Sequence, residues 1–246
     1  MAIYTGTADA SGNFDISFGG NNYTAAQKVT VTSTKDGGSK TVELYAPSGV
    51  TGGGIITWTG TTVNFPRNIG VVTIGSDVNN AIAPYAFYVY SDSNPSFGYH
   101  ATGLVISAAK TIGTAAFYQW SNCRTLSLPS GLKSIGSLAF AYFYELNTQL
   151  TIPDGVTTIG AAAFSSANKC PKVVLPSTLT SIGDQAFLGL GACTEISITA
   201  STPPTIDANT FLSLNASCVI KVPSASLTAY QTATYWSDHA SKMVGV

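Results

Sequence analysis

A chain of 246 residues has room for one large domain or two modest ones, and 45% apolar residues are ample for a core. Only 9% of residues are charged, against roughly 25% in an ordinary soluble domain, and Gly, Ser, Thr, Asn and Ala fill the gap, as expected of secreted or particle-bound β-rich proteins. Eleven Lys plus Arg balance twelve Asp plus Glu with no basic run, which excludes a nucleic-acid binder, and no stretch reaches the ~18 apolar residues of a membrane-spanning helix, so no membrane insertion is expected.

The first residues, MAIYTGTADA, lack the basic and apolar regions of a secretory leader, so none is expected there. Residues 1–70 read as a small antiparallel β region. Phe14, Ile16 and Phe18 alternate with polar residues. Val29 and Val31 lead into Lys35-Asp36-Gly37-Gly38, a favourable hairpin turn, and Val42 and Leu44 return from it. Ile55 to Trp58, a Thr59-Gly60 turn and Val63 to Phe65 read as a second hairpin. The segment serves either as a cap on the residues C-terminal to it or as an attachment domain.

Residues 71–223 are dominated by an internal repeat. The block Ile-x-x-x-Ala-Phe recurs six times, from Ile82 to Phe87, Ile112 to Phe117, Ile135 to Phe140, Ile159 to Phe164, Ile182 to Phe187 and Ile206 to Phe211, the last with Thr210 in place of Ala. The steps between blocks are 30, 23, 24, 23 and 24 residues. Between blocks lies a short alternating segment, as in Leu126-Ser127-Leu128-Pro129, Leu150-Thr151-Ile152-Pro153 and Val173-Val174-Leu175-Pro176. Alternation over three residues predicts a strand with two inward side chains and one outward, and the proline after it removes a donor and stops it. One strand, a turn and a return path in about 23 residues make one coil of a solenoid, whose apolar face is buried only by stacking on the next coil. The outward row of the sheet is predicted to be Val105, Ser127, Thr151, Val174, Ser197 and Lys221, nearly uncharged.

Cys123, Cys170 and Cys193 each stand six residues after their Phe, where another coil has Leu146. That position reads as a small buried apolar site. A disulfide between neighbouring coils, Cys170 with Cys193 or Cys193 with Cys218, is the alternative, and metal binding a further one. Residues 224–246 read as a C-terminal cap, with Leu227, Tyr230 and Trp236 in a helical pattern behind Ser224 or Ser226 as N-cap.

The runs LPSGLKSIGSLAF, IPDGVTTIGAAAF and LPSTLTSIGDQAF resemble the BspA-type leucine-rich repeats of bacterial surface proteins, and VPSASLTAYQTATYW is similar to the closing segment of such arrays. The resemblance covers about residues 70–246. It implies a leucine-rich-repeat solenoid with a short parallel sheet, an irregular or 3-10 convex side and a C-terminal cap helix. It also implies an extracellular or cell-surface adhesion role, with no catalytic residues to carry over. The first coil departs from the pattern, being stretched to 30 residues.

No phosphate loop, nucleophile elbow or paired metal-ligand motif is present, so no catalytic residue, metal or cofactor is expected. His100 falls in the stretched first coil and His239 in the cap, both read as surface residues. Asp77-x-Asn79 and Asp92-x-Asn94 lack the late carboxylate of a calcium loop and read as turn residues. Two surfaces are candidates for binding. The sheet row offers Ser127, Thr151 and Val174. The other surface is aromatic: Tyr85, Tyr88, Tyr90, Phe97 and Tyr99 in the first coil, then Tyr118, Trp120, Tyr142, Phe143 and Tyr144, where later coils have Ser165-Ser166 and Leu188-Gly189. Tyr and Trp are rigid amphipathic anchors, so Tyr88, Tyr90, Tyr99, Trp120, Tyr142 and Tyr144 are the aromatic binding candidates. Equally, these rings would close the convex side of the core. The expected partner is a host protein, matrix component or surface glycan on another cell or surface. Two other readings are a phage or prophage tail component recognising a bacterial surface, and a purely structural module.

Overall fold

A computed structural model of the chain describes residues 28–35, 38–45, 70–74, 81–88 and 101–246. Within the N-terminal segment, strands β1 (Lys28–Lys35) and β2 (Gly38–Tyr45) pair antiparallel, with Lys35 opposite Gly38. The register sets Val29 opposite Leu44 and Val31 opposite Val42. The expected strands at 14–18 and hairpin at 55–65 lie outside the described residues.

The solenoid is built from two parallel ladders. The first holds the alternating segments and comes in two parts. Strands β3 (Gly70–Ile74), β5 (Ala101–Ile106) and β7 (Thr125–Ser127) form a three-stranded sheet. Strands β9 (Leu150–Thr151), β11 (Lys172–Leu175), β13 (Glu195–Ile198), β14 (Val219–Val222) and β15 (Met243–Gly245) form a five-stranded one. At the junction the chain bonds across loop residues instead, Asn147 N–H donating to Arg124 O at 3.1 Å. Val173, Leu175, Ile196, Ile198, Ile220 and Val222 are buried, while Val174, Ser197 and Lys221 between them are half-exposed.

The convex side is more regular than expected. The Ile of the first five blocks belongs to a second parallel sheet of two-residue strands, β4 (Ala81–Ile82), β6 (Thr111–Ile112), β8 (Ser134–Ile135), β10 (Thr158–Ile159) and β12 (Ser181–Ile182). Beyond it the Ala-Phe turns are bonded coil to coil. Phe87, Phe117, Phe140 and Phe164 each donate their N–H to the residue before the next Phe, at 2.8 Å in every case. The backbone polar groups of the turns are thus satisfied by stacking, as burial requires.

Two local features make this stacking fit. The Gly after each central Ile lies against the previous coil: a Cβ on Gly136 would stand 2.7 Å from Gly113 C, and one on Gly160 only 2.4 Å from Ser137 N. The backbone also enters the left-handed region twice in most coils. It does so two residues before the Phe (Tyr85, Ala115, Leu138, Ala162, Gln185) and two after it (Gln119, Tyr142, Ser166, Gly189, Ser213). These bends close the coil around its Phe.

Inside, the six phenylalanines form one column. Successive ring centroids from Phe87 to Phe211 are 5.1, 5.4, 5.3, 5.5 and 5.6 Å apart, with interplanar angles of 11° or less. Trp236 ends the column at 5.4 Å from Phe211 and donates Nε1–H to Pro204 O at 2.7 Å. Tyr230 joins it at 5.2 Å and donates its hydroxyl to Ala200 O at 2.9 Å. The expected cap helix is α1 (Leu227–Thr232), preceded by Ser226. A 3-10 turn over Trp236–Lys242 and strand β15 complete the cap, β15 extending the sheet beyond the last repeat. His239, expected at the surface, is half-buried and meets Phe211 edge-on at 5.7 Å. Burial holds its imidazole below the ordinary value.

Candidate binding surfaces

The four cysteines are buried free thiols along the interior corner before the strands, and those of Cys193 and Cys218 are hydrogen-bonded to each other. Burial pushes the thiol of Cys123 up to about 12 and that of Cys170 up to about 11, which keeps both protonated and unreactive. Among the described residues, no three His, Cys, Asp or Glu gather as a metal site would require, and no helix is long and apolar enough to cross a membrane.

On the first sheet, Thr73, Val105 and Ser127 align across β3, β5 and β7, and Thr151, Val174, Ser197, Lys221 and Val244 align across β9 to β15. Ser127 and Thr151 are exposed. The row is less neutral than its outward residues imply, because charge sits two residues earlier on the same face. Lys172 stands opposite Glu195, and Glu195 bonds both Lys172 (2.7 Å) and Lys221 (2.6 Å). Those bonds hold the Glu195 carboxyl below its usual range. The trio is partly solvated, and such pairs contribute little to stability.

The aromatic surface divides in two. Trp120 is not a surface residue: it is 0% exposed, lies edge-on to Phe117 at 5.2 Å and donates Nε1–H to Phe87 O at 2.8 Å. Phe143 is equally buried, edge-on to Phe140 at 5.6 Å. Both stand three residues after a column Phe, a position that later coils fill with the buried Ala167 and Leu190. That shared position was the sequence signal for their burial. Tyr90, Phe97, Tyr99 and His100 lie outside the described residues.

The remaining tyrosines form a continuous strip on the outside of the turns. Tyr88 and Tyr118, each one residue after its Phe, stack at 4.8 Å and 12°. Tyr142 comes from the next position, the left-handed one (φ +65°), so its ring meets Tyr118 edge-on at 5.1 Å and 80°. Tyr85 extends the strip at one end, 5.7 Å from Tyr88, and Tyr144 at the other, 5.6 Å from Tyr142. These end rings are 58% and 41% exposed, while the three between are half-exposed. Partial burial and the neighbouring Tyr142 hydroxyl push the Tyr118 phenol up to about 12, so it remains a hydroxyl donor across the ordinary pH range. Tyr85 and Tyr118 complete the strip that Tyr88, Tyr142 and Tyr144 outline.

The BspA type leucine-rich repeat region matches the chain in six copies, over residues 80–217 and 141–237. Comparison with curated protein sequences gives no match. Among solved structures, the pneumococcal vaccine antigen PcpA aligns with 88% of this chain and 48% of its own, at 20% identity and a TM-score of 0.57. A Treponema pallidum leucine-rich-repeat protein aligns over 64% of this chain and 73% of its own, at 22% identity and a TM-score of 0.49. A leucine-rich cell surface protein of Faecalibacterium prausnitzii aligns over 78% of this chain and 54% of its own, at 22% identity and a TM-score of 0.45. The chain therefore spans about half the length of two of these three.

Proposed function

This chain belongs to the BspA-type leucine-rich-repeat family, and from that premise we propose that it is a non-enzymatic binding module acting outside the cell in adhesion. Its solenoid surface captures a host protein, a matrix component or a surface glycan. The observation that carries this reading is the tyrosine strip. Five phenol rings, the two at its ends exposed, lie side by side on three neighbouring coils, and later coils build the same turns without them. The same turns are built in later coils with Ser165, Ser166 and Gly189, so the fold tolerates small residues there. Ordered aromatic side chains that are neither buried nor structurally required are the type of residue that anchors a partner, because little side-chain freedom remains to be lost on binding. The shared fold with the pneumococcal antigen and the family's association with bacterial surfaces agree with display on a cell.

The test is capture of the purified chain on arrays of matrix proteins, host-cell glycoproteins and polysaccharides, with the Tyr85→Ala/Tyr144→Ala double variant alongside. Loss of capture with an unchanged melting temperature is expected. Full capture by the double variant, or loss only when Lys172, Glu195 or Lys221 is replaced, would move the binding face to the first sheet.

A further inference from the structure

We propose that Cys193 and Cys218 are an oxidisable pair, which a hydroperoxide converts to a disulfide that staples the last two coils of the repeat, while Cys123 and Cys170 stay thiols. The backbone brings the pair together. Each cysteine closes the same kind of turn on its own coil: Cys193 N–H donates to Leu190 O at 3.2 Å, and Cys218 N–H donates to Asn215 O at 3.0 Å. The two turns are tied to each other on both sides, by Asn215 N–H to Leu190 O at 3.1 Å and by Val219 N–H to Thr194 O at 3.0 Å. Coils stacked about 4.8 Å apart fall within the range of about 4.4–6.8 Å that separates the Cα atoms of bridged cysteines. The side chains already meet: Cys218 donates its S–H to Cys193, which itself donates to Glu195 O at 3.3 Å. Cys170, on the coil before, is bonded to backbone, donating to Lys172 O at 3.3 Å.

The hydrogen bond also divides the roles. Accepting it holds the Cys193 thiol below its ordinary value, and donating it pushes that of Cys218 up, so Cys193 is the sulfur that ionises. Its thiolate attacks hydrogen peroxide: an S–O bond forms, the O–O bond breaks, and the departing hydroxide takes up the proton Cys193 released, giving one water. The Cys218 sulfur then attacks the sulfenic acid. The S–S bond forms as the S–O bond breaks, and the Cys218 proton leaves with the hydroxyl as a second water. The two thiols lose two electrons, which reduce the peroxide. Both sulfurs are buried, at 0% and 2% exposure, but they lie at the end of the array. Beside Cys218, Lys242 of the cap donates to Asn215 O at 3.4 Å and to Ala216 O. Local opening of this terminal turn admits a reagent as small as peroxide.

The experiment exposes the folded, reduced chain to hydrogen peroxide with glutathione in the same tube as the control for oxidation. Remaining thiols are then alkylated in denaturant, and chymotryptic peptides, cut between the two cysteines at Phe211, are mapped by mass spectrometry. A Cys193–Cys218 link with Cys123 and Cys170 alkylated is expected. The melting midpoint should rise by about 5 °C or more, and dithiothreitol should reverse both changes. Cys170→Ala should form the bridge as the wild-type chain does, whereas Cys193→Ala and Cys218→Ala should form none. Four alkylated cysteines in the wild-type chain once the glutathione is oxidised, or a Cys170–Cys193 link in its place, would overturn the pairing. A correct link with an unchanged melting midpoint would overturn its role as a staple.

Discussion

Trp120 and Tyr118 are two residues apart, and the left-handed bend at Gln119 between them sends one ring inward and the other outward. Trp120→Ala is expected to lower stability by about 3–5 kcal/mol, the range for an emptied aromatic core site, as read by urea denaturation. Tyr144→Ala, at an open end of the strip, should change it by less than ~0.5 kcal/mol. His239 adds a pH signature. Its folded-state value is depressed, so the unfolded chain binds more protons at mildly acidic pH, and stability falls as pH drops below the ordinary histidine value of about 6.5. His239→Phe should flatten that part of a pH–melting curve; an unchanged slope would show that another group titrates. The column Phe residues were legible because six copies recur in phase. Trp120 and Phe143 were misplaced because tyrosine, tryptophan and phenylalanine cluster together in sequence, and only the position three residues after the Phe separates inner from outer rings.

The two-residue strands of the convex side were not legible at all. A strand that short has no alternation to read, and its hydrogen bonds exist only once another coil lies beside it. The glycine after the Ile carried the missing information. At Gly160 a methyl would run into the backbone of the previous coil, whereas at Gly131 nothing lies within 4 Å of the added carbon. Gly160→Ala should therefore destabilise by about 1–3 kcal/mol, as overpacking does. Gly131→Ala should be neutral or slightly stabilising. Thermal melts of the pair check this; equal melting temperatures would mean that the coils can separate enough to admit a methyl. The charged trio on the first sheet was missed for a different reason. A single outward row was read, while Lys172 and Glu195 sit two residues earlier on the same face and pair across strands.

At the scale of the whole molecule, one interior runs from Phe87 to the Trp236 and Tyr230 cap, with function left to the outside of the coils. The solenoid and the existence of a cap were readable from the repeat and its closing segment. Strand β15 was not, because Met243-Val244-Gly245 acquires strand geometry only against β14. Stacked coils of this kind share stability through nearest-neighbour contacts, so the Phe turns should be as well protected as the sheets. Amide hydrogen exchange on the intact chain measures this most directly. The amides of Phe117, Phe140 and Phe164, each donating to the next coil, should exchange as slowly as those of Ile196 and Ile220, through a common cooperative opening. Fast exchange at the three phenylalanines beside slow exchange at the two isoleucines would mean that the convex side is not stacked, and would contradict the account.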